Sequence, residues 1–347
     1  MEEKNYGAFL VAKQQYEVRE APMPTLENDD DVLIKIDYVG ICGADQDMFL
    51  TGRYGIFDVD FPKIIGHEAA GVVVKTGPAV KHLKPGDKVA LEPQVPCGKC
   101  EQCVTGHYHL CPDVMFKGAP PVTGCNQNYV VHPAEWCFKL PEGTTTRDGS
   151  LLEPLAVGMH AANQGGVKMG DTVIINGAGT IGLCVLNACR AKGATKIISI
   201  DMSPARLEKA EKMGAIPVNF AECDPVAKIN ELTDGRGGDV VIEASGNAKA
   251  FLNTAYYVRT GGTICCVGLG PKPIIEVDYQ ALIYKEATIK TVCRYCNEYP
   301  TCIAGLASGL MSTEGIITHE FPLEKVQEAY EFAVNNKDIA IKTIIKF

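Results

Sequence analysis

No stretch of eighteen consecutive apolar residues occurs in the 347-residue chain, so the sequence offers no candidate membrane-spanning helix. The first residues, MEEKNYGAFLVAKQQYEV, contain neither a basic segment nor an apolar leader, and export is not expected. Basic charge is in deficit: 33 Lys and Arg stand against 42 Asp and Glu, a formal charge of −9 with a pI near 5.4. That balance opposes the phosphate neutralisation on which sequence-independent nucleic-acid binding depends, so nucleic acid is not an expected partner. Internal repeats and low-complexity tracts are also missing, which sets aside solenoids and disordered linkers. What remains is a globular composition, 46% apolar and 22% charged, in a length that suits two domains of about 150 residues each. The fifteen cysteines are an odd number, and Cys184, Cys189, Cys265 and Cys266 lie in apolar runs. They read as reduced core thiols, which fits a cytoplasmic protein.

The texture of the chain changes once. Up to about residue 150, short alternating segments are separated by turn residues in TGPAV and LKPGD. In VLIKIDYV (32–39), Val32, Ile34, Ile36 and Tyr38 are expected on one face, with Lys35 and Asp37 on the other; AGVVVKT and DKVALE repeat the style of a small antiparallel unit. From about residue 168, strands and helices alternate: DTVIINGAGTIGLCVLNACRAKG, KIISID, SPARLEKAEKMG, IPVNF, GDVVIEAS and GTICCVG. Ser203-Pro204 and Asp224-Pro225 are helix starts, a capping side chain followed by proline at the first helical position. Such alternation predicts a parallel sheet covered by helices on both faces. A helix near LEKVQEAYEFAV and a strand in IAIKTIIKF close the chain, so a nucleotide domain inserted into a discontinuous β domain is the simplest arrangement.

INGAGTIG places Gly177, Gly179 and Gly182 in G-x-G-x-x-G spacing, after the apolar strand TVII and at the start of a helix. The first glycine permits a tight turn, the second a close approach to a pyrophosphate, and the third close packing of helix on strand. Thr180 and Ile181 lie within the motif, and Val267 in GTICCVG and Leu269 just after it complete the cofactor candidates. Asp201, nineteen residues beyond Gly182, can accept from a ribose 2′-hydroxyl and would repel a 2′-phosphate, which favours NAD over NADP. Arg206 stands five residues further and works the other way, since an arginine can neutralise such a phosphate.

Two sets of metal-ligating residues follow. CGKCEQCVTGHYHLC spaces Cys97, Cys100, Cys103 and Cys111 as C-x2-C-x2-C-x7-C, and four thiolates complete a tetrahedral zinc shell with no place for substrate. An iron–sulfur cluster is the rival, prompted by Cys111-Pro112, but the last gap is seven residues where three are usual. His107 and His109 lie in the same loop as spare ligands. The second set is dispersed: Cys42 in GICGAD, His67 and Glu68 in IIGHEAAG, and Glu153 in LLEPLAVG. Thiolate, imidazole and carboxylate suit zinc, and three ligands leave a catalytic position open. Spacing alone does not bring these residues together, and each by itself is commonly a core or surface residue.

Over essentially its whole length the chain resembles the zinc-containing medium-chain dehydrogenase/reductase superfamily, through GICGAD, GHEAAGVV, KPGDKVA, the four-cysteine lobe and GAGTIG. Within it, LLEPLAVGMHA, RYCNEYP and THEFPLEKVQEAYE are similar to the sorbitol/xylitol (polyol) dehydrogenase branch. The resemblance implies an α/β chain: a discontinuous GroES-like β-rich catalytic domain (1–155 and 291–347) with a structural zinc lobe at about 93–113, and a Rossmann doubly wound NAD-binding domain (156–290). It implies two zinc ions per chain. Cys42, His67 and Glu68 would surround the catalytic one, with Glu153 reaching it directly or through water, and Arg294 and Tyr295 would contact substrate hydroxyls. The implied reaction is reversible oxidation of a polyol secondary alcohol to a ketose with NAD, in a homo-oligomer, tetramer or dimer. Because one thiolate and one carboxylate already balance Zn²⁺, Glu153 is expected to act mainly through water.

Three positions depart from the family. Ser or Thr is usual two residues after the ligand cysteine, and His is frequent three further on; here they are Ala44 and Asp47. The proton relay then falls to water with Asp47 or Glu153. Met48, where an aromatic is common, suggests a reshaped pocket. A vicinal-diol or amino-alcohol dehydrogenase of the butanediol or threonine type is the alternative enzyme, with RYCNEYP against it. A non-catalytic, redox-responsive NAD-binding protein is the third reading, prompted by Ala44 and the many thiols.

Overall fold

The computed structural model describes residues 4–55, 57–270 and 273–347. The chain divides into two compact units. The first runs to Glu153 and takes in Tyr299–Ala307 and Ile316–Phe347; the second comprises Pro154–Glu298 and Ser308–Gly315.

The first unit is built on a seven-stranded sheet in the order Cys137–Lys139, Lys88–Leu91, Glu68–Thr76, Asp31–Gly40, Lys342–Lys346, Ile317–Pro322, with Tyr129–Pro133 also paired to Asp31–Gly40. All its pairings are antiparallel except that between the two C-terminal strands. Val32, Ile34 and Ile36 are buried as their alternation predicts, but Val39 replaces Tyr38 in the core. The register slips there, with Ile36 opposite Gly71 and Tyr38 opposite Ala70. The extra residue, Asp37, exchanges the two faces of the strand beyond it. A second core forms where the helix Val326–Asn335 packs on the helix Gly43–Thr51 and the N-terminal hairpin, with the rings of Tyr16, Phe49 and Tyr330 4.6–5.8 Å apart. Met48 belongs to this core and is fully buried, so it fills the interior and does not line an open pocket.

The second unit carries a six-stranded, wholly parallel sheet in the order Ile216–Asn219, Lys196–Asp201, Thr172–Asn176, Gly238–Glu243, Val258–Cys266, Thr288–Thr291. In chain order this is 3-2-1-4-5-6, the doubly wound arrangement, whose strand order reverses beside Thr172–Asn176. Ile174, Ile198, Ile200, Val241 and Ile264 are at most 1% exposed, as expected for strands covered on both faces. The helix starts fold as their sequences dictate. Ser203 accepts from the Arg206 N–H at the head of Pro204–Lys212, and Asp224 accepts from the Val226 N–H at 2.9 Å at the head of Pro225–Leu232. Among the described residues no helix is long and apolar enough to cross a membrane.

Candidate metal centres and dinucleotide site

The helix Gly43–Thr51 begins at Cys42, whose backbone N–H donates to Asp45 Oδ2 at 3.0 Å. This local bond turns the chain just beyond the end of the strand Asp31–Gly40 and fixes both residues. Asp45 is completely buried, and its Oδ1 lies 3.4 Å from His67 Nδ1. His67 enters from a loop tightened by Gly66 at φ 96°, where a Cβ would meet the Asn126 side chain at 2.7 Å. Glu68 opens the next strand and sits opposite Gly40. A Cβ on Gly40 would fall 2.0 Å from Glu68 Oε2, so only glycine leaves room for the carboxylate. Ligand atoms of Cys42, His67 and Glu68 thus come within 4.8 Å of one another.

Lys342 is the unanticipated member of this centre. Its ammonium is 3% exposed, donates to both Glu68 oxygens at 2.7 and 2.6 Å, and lies 3.2 Å from the Ile41 carbonyl. The donor set fits zinc: one thiol, one imidazole and one carboxylate form an open shell, and the Asp45 carboxylate beside His67 Nδ1 orients the imidazole. The electrostatics agree. Burial lowers the His67 pKa, but Asp45 and Cys42 outweigh it and hold the imidazole well above its ordinary value. Burial pushes the Cys42 thiol up, against the opposing pull of His67 and Lys342. A pocket that draws a proton onto an imidazole is one that favours a cation.

Glu153, in the first turn of the helix Leu152–Gln164, is 7% exposed. Burial raises its pKa to about 7; among neighbouring charges, Glu68 adds to the rise while His67 and Lys342 oppose it. Its oxygens fall outside the three-residue ligand set. Asp47 is exposed, and its carboxylate is not part of the cluster. The physical reason is helical geometry: two residues along a helix is about 200°, so burying Asp45 turns Asp47 outward. The carboxylate that meets His67 is therefore Asp45, for which the C-x-x-D spacing at a helix start was the available signal. For Lys342 the signal was a lysine set among the apolar residues of IAIKTIIKF.

The second candidate centre is complete. The sulfurs of Cys97, Cys100, Cys103 and Cys111 lie within 4.8 Å of one another, with 3.4 Å between Cys100 and Cys103 and 4.0 Å between Cys97 and Cys103. A tetrahedron of Zn–S bonds has edges of about 3.8 Å, so the sulfurs already stand near zinc-binding distances. Backbone N–H groups of Lys99 and Cys100 hold Cys97 down to about 6, whereas desolvation and the neighbouring thiols push Cys103 up to about 12. His107 and His109 are outside the set. Tyr108, between them, donates to the buried Glu92 carboxylate at 2.7 Å and stacks edge-on against Trp136 at 5.0 Å, which ties the lobe to the sheet.

In the second unit, Gly177 adopts φ 106°, and a Cβ on Gly182 would lie 1.9 Å from the Gly177 carbonyl oxygen. The turn therefore demands glycine at both positions. Gly179 caps the helix Thr180–Ala191, and Thr180 and Ile181 form its half-exposed first turn. Asp201 ends its strand with both carboxylate oxygens engaged: Oδ2 accepts from the Ala178 N–H at 2.7 Å, and Oδ1 from Met202 and Ser203 at 2.8 and 2.9 Å. Arg206 Nη1 is 3.9 Å from Oδ2. A cavity of about 430 Å³ is lined by Gly177, Asp201, Arg206, Phe220, Asn247 and Tyr257 among others, at the point where strand order reverses. Val267 and Leu269 follow the strand Val258–Cys266, Leu269 almost wholly exposed. Arg294 and Tyr295 belong to this unit, in the segment before the helix Glu298–Ala307. Arg294 has φ 55° and Tyr295 is fully buried.

Comparison with known proteins agrees with these features. Residues 28–142 match an alcohol dehydrogenase GroES-like domain, and residues 180–308 a zinc-binding dehydrogenase domain. Rat sorbitol dehydrogenase is 42% identical over 94% of this chain and 91% of its own. An Escherichia coli oxidoreductase of unknown specificity superposes with a TM-score of 0.95 at 41% identity, covering 99% of both chains. The 2R,3R-butanediol dehydrogenase of Bacillus subtilis does so at 0.90 and 29% identity, again over 99% of each. With both domain families matched in order, two cysteine-containing ligand clusters and a doubly wound dinucleotide fold, the chain belongs to the zinc-type medium-chain dehydrogenase/reductase family.

Proposed function

We propose that the protein is a zinc- and NAD-dependent polyol dehydrogenase that oxidises a secondary alcohol of a sorbitol- or xylitol-like substrate to the ketose. The observation that carries the assignment is the contrast between the two clusters. One offers four sulfurs and a closed shell; the other offers Cys42, His67 and Glu68, with Glu153 buried nearby. In the open shell zinc would supply Lewis acidity, lowering the pKa of a hydroxyl brought to it. NAD would be the hydride acceptor, with Asp201 favouring it over NADP.

The chain's own residues then have distinct tasks. Asp45 fixes the His67 ring, and Lys342 fixes the Glu68 carboxylate and balances its charge. With Ala44 lacking a hydroxyl and Asp47 exposed, the Glu153 carboxylate is assigned to hold the substrate proton. Arg294 and Tyr295 are assigned to substrate hydroxyls. We assign residues 1–155 and 291–347 to the catalytic domain, 156–290 to NAD, and Cys97, Cys100, Cys103 and Cys111 to a structural zinc. The cysteines form no disulfide among the described residues, which supports a cytoplasmic setting. A homo-oligomer is supported by the strand Thr288–Thr291, whose four residues are all exposed at the sheet edge beside exposed Ile283 and Tyr284.

The test is a spectrophotometric screen of polyols, vicinal diols and amino alcohols with NAD⁺ and NADP⁺ on protein assayed for metal. Two zinc ions per chain and NADH formation with polyols are expected. Preference for vicinal diols would move the assignment to a butanediol-type activity. Absence of any NADH signal with both metals bound would indicate a non-catalytic protein.

A further inference from the structure

The first unit holds a second cavity, about 760 Å³, none of whose lining residues belongs to either metal cluster. That volume is in the range of small-molecule sites. Its walls are the segment after the N-terminal hairpin, the 62–64 turn, the strand pair Gln94–Val95 and Met115–Phe116 at the base of the cysteine lobe, and Tyr129–Pro133.

Two side chains give it chemical character. Phe116 sets its ring 5.3 Å from that of His67, so strand alternation turns its neighbours Met115 and Lys117 to the opposite side, where both line the cavity. The Lys117 ammonium makes no hydrogen bond or ion pair among the described residues. His132 is 1% exposed and also lines the cavity. Its Nε2 is 2.8 Å from the Glu92 carbonyl oxygen, which can only accept, so Nε2 carries the hydrogen. Nδ1 is then a lone-pair acceptor, buried and without a partner. Burial and the Lys117 charge depress the ring pKa to about 3, so Nδ1 stays an acceptor at neutral pH.

Other lining groups are already engaged, Asp31 on the strand paired with Tyr129–Pro133. Asp31 Oδ2 accepts from the Glu27 and Asn28 N–H groups at 3.0 and 2.8 Å, and Gln127 is held by Asn5 and the Gly124 carbonyl. Lys63 is committed to the Pro121 carbonyl at the rim. The cavity lining therefore includes an unpaired cation, an unpaired acceptor, and carboxylate and amide groups that can accept from hydroxyls. A buried acceptor left unmatched is costly, and it marks where a donor is missing.

We propose that this cavity is a second ligand site for a small hydroxylated anion, a sugar acid or a polyol phosphate, with Lys117 holding the anionic end and His132 Nδ1 accepting from a hydroxyl. The site does not depend on the proposed activity.

Calorimetric titration of the full-length, zinc-loaded protein tests it, with gluconate, sorbitol 6-phosphate, inorganic phosphate and sorbitol as probes. Gluconate or sorbitol 6-phosphate should bind, and which of them does so identifies the anion. Inorganic phosphate, without carbon-borne hydroxyls, should bind at least roughly tenfold more weakly, as should Lys117→Gln with the better organic anion; a charge-assisted hydrogen bond is worth about that much. Lys117→Arg should restore binding, and Cys42→Ser should leave it unchanged. The proposal is overturned if neither organic anion binds, if inorganic phosphate binds equally, if Lys117→Gln has no effect, or if Cys42→Ser abolishes binding, which would place the anion at the metal cluster.

Discussion

Lys342→Met isolates the role of the buried ion pair behind the candidate catalytic centre. In the native protein Glu68 is 1% exposed and receives two bonds from Lys342, at 2.7 and 2.6 Å. Methionine fills a similar volume but leaves a carboxylate buried without its cation. Breaking such a pair by removing one partner costs roughly 3–5 kcal/mol, because the surviving charge keeps its desolvation penalty. Trp136 is the only tryptophan and lies in the first unit, so its fluorescence during urea unfolding reports on the unit concerned. With a slope of about 2 kcal/mol per molar urea, the zinc-free variant should unfold about 1.5–2.5 M earlier than zinc-free wild type. Adding Glu68→Gln removes the stranded charge, and the double variant should recover more than half of the loss. Zinc should also recover part of it in the single variant by supplying a counter-cation. Strictly additive losses in the double variant, or a single-variant loss below about 1 kcal/mol, would refute the view that Lys342 is there to neutralise Glu68.

Three further outcomes are expected. Burial raises the Glu92 pKa to about 7, so the folded state binds its proton more tightly than the unfolded chain. Its contribution is fully present below about pH 4.5 and is lost as pH rises through 7. Relative to Glu92→Gln, wild type should therefore lose roughly 3 kcal/mol between pH 4.5 and 8, and parallel stability–pH curves for the two proteins would disprove it. Cys42→Ser should retain one zinc, the fold and NAD binding while losing turnover, whereas Cys100→Ser should first lower thermal stability; equal unfolding of both would contradict the division between centres. Gly182→Ala would drive a methyl group to 1.9 Å from the Gly177 oxygen, so NAD affinity measured by fluorescence titration should fall by at least roughly tenfold, with about 1–3 kcal/mol of destabilisation.

Much of the fold was legible because period and punctuation are local properties. The apolar strands KIISID and TVII, the capping pairs Ser203-Pro204 and Asp224-Pro225, and the glycine spacing of GAGTIG each need only neighbouring residues to act, and each forms as the sequence dictates. The four-cysteine lobe is equally local, since all its sulfurs come from one fifteen-residue loop. Other features depend on residues far apart in the chain. The bulge at Asp37 arises from pairing with Glu68–Thr76 and moves Tyr38 out of the core in favour of Val39. Met48 is drawn into a core completed by a helix nearly three hundred residues away. The open centre assembles only when Cys42, His67 and Glu68 meet, and the cation facing Glu68 comes from position 342, a partner no spacing rule could supply. Sequence by itself fixed the local turns, caps and donor types. Tertiary structure decided which charges share a buried volume, because Coulomb and desolvation energies depend on distance in space and not on distance along the chain.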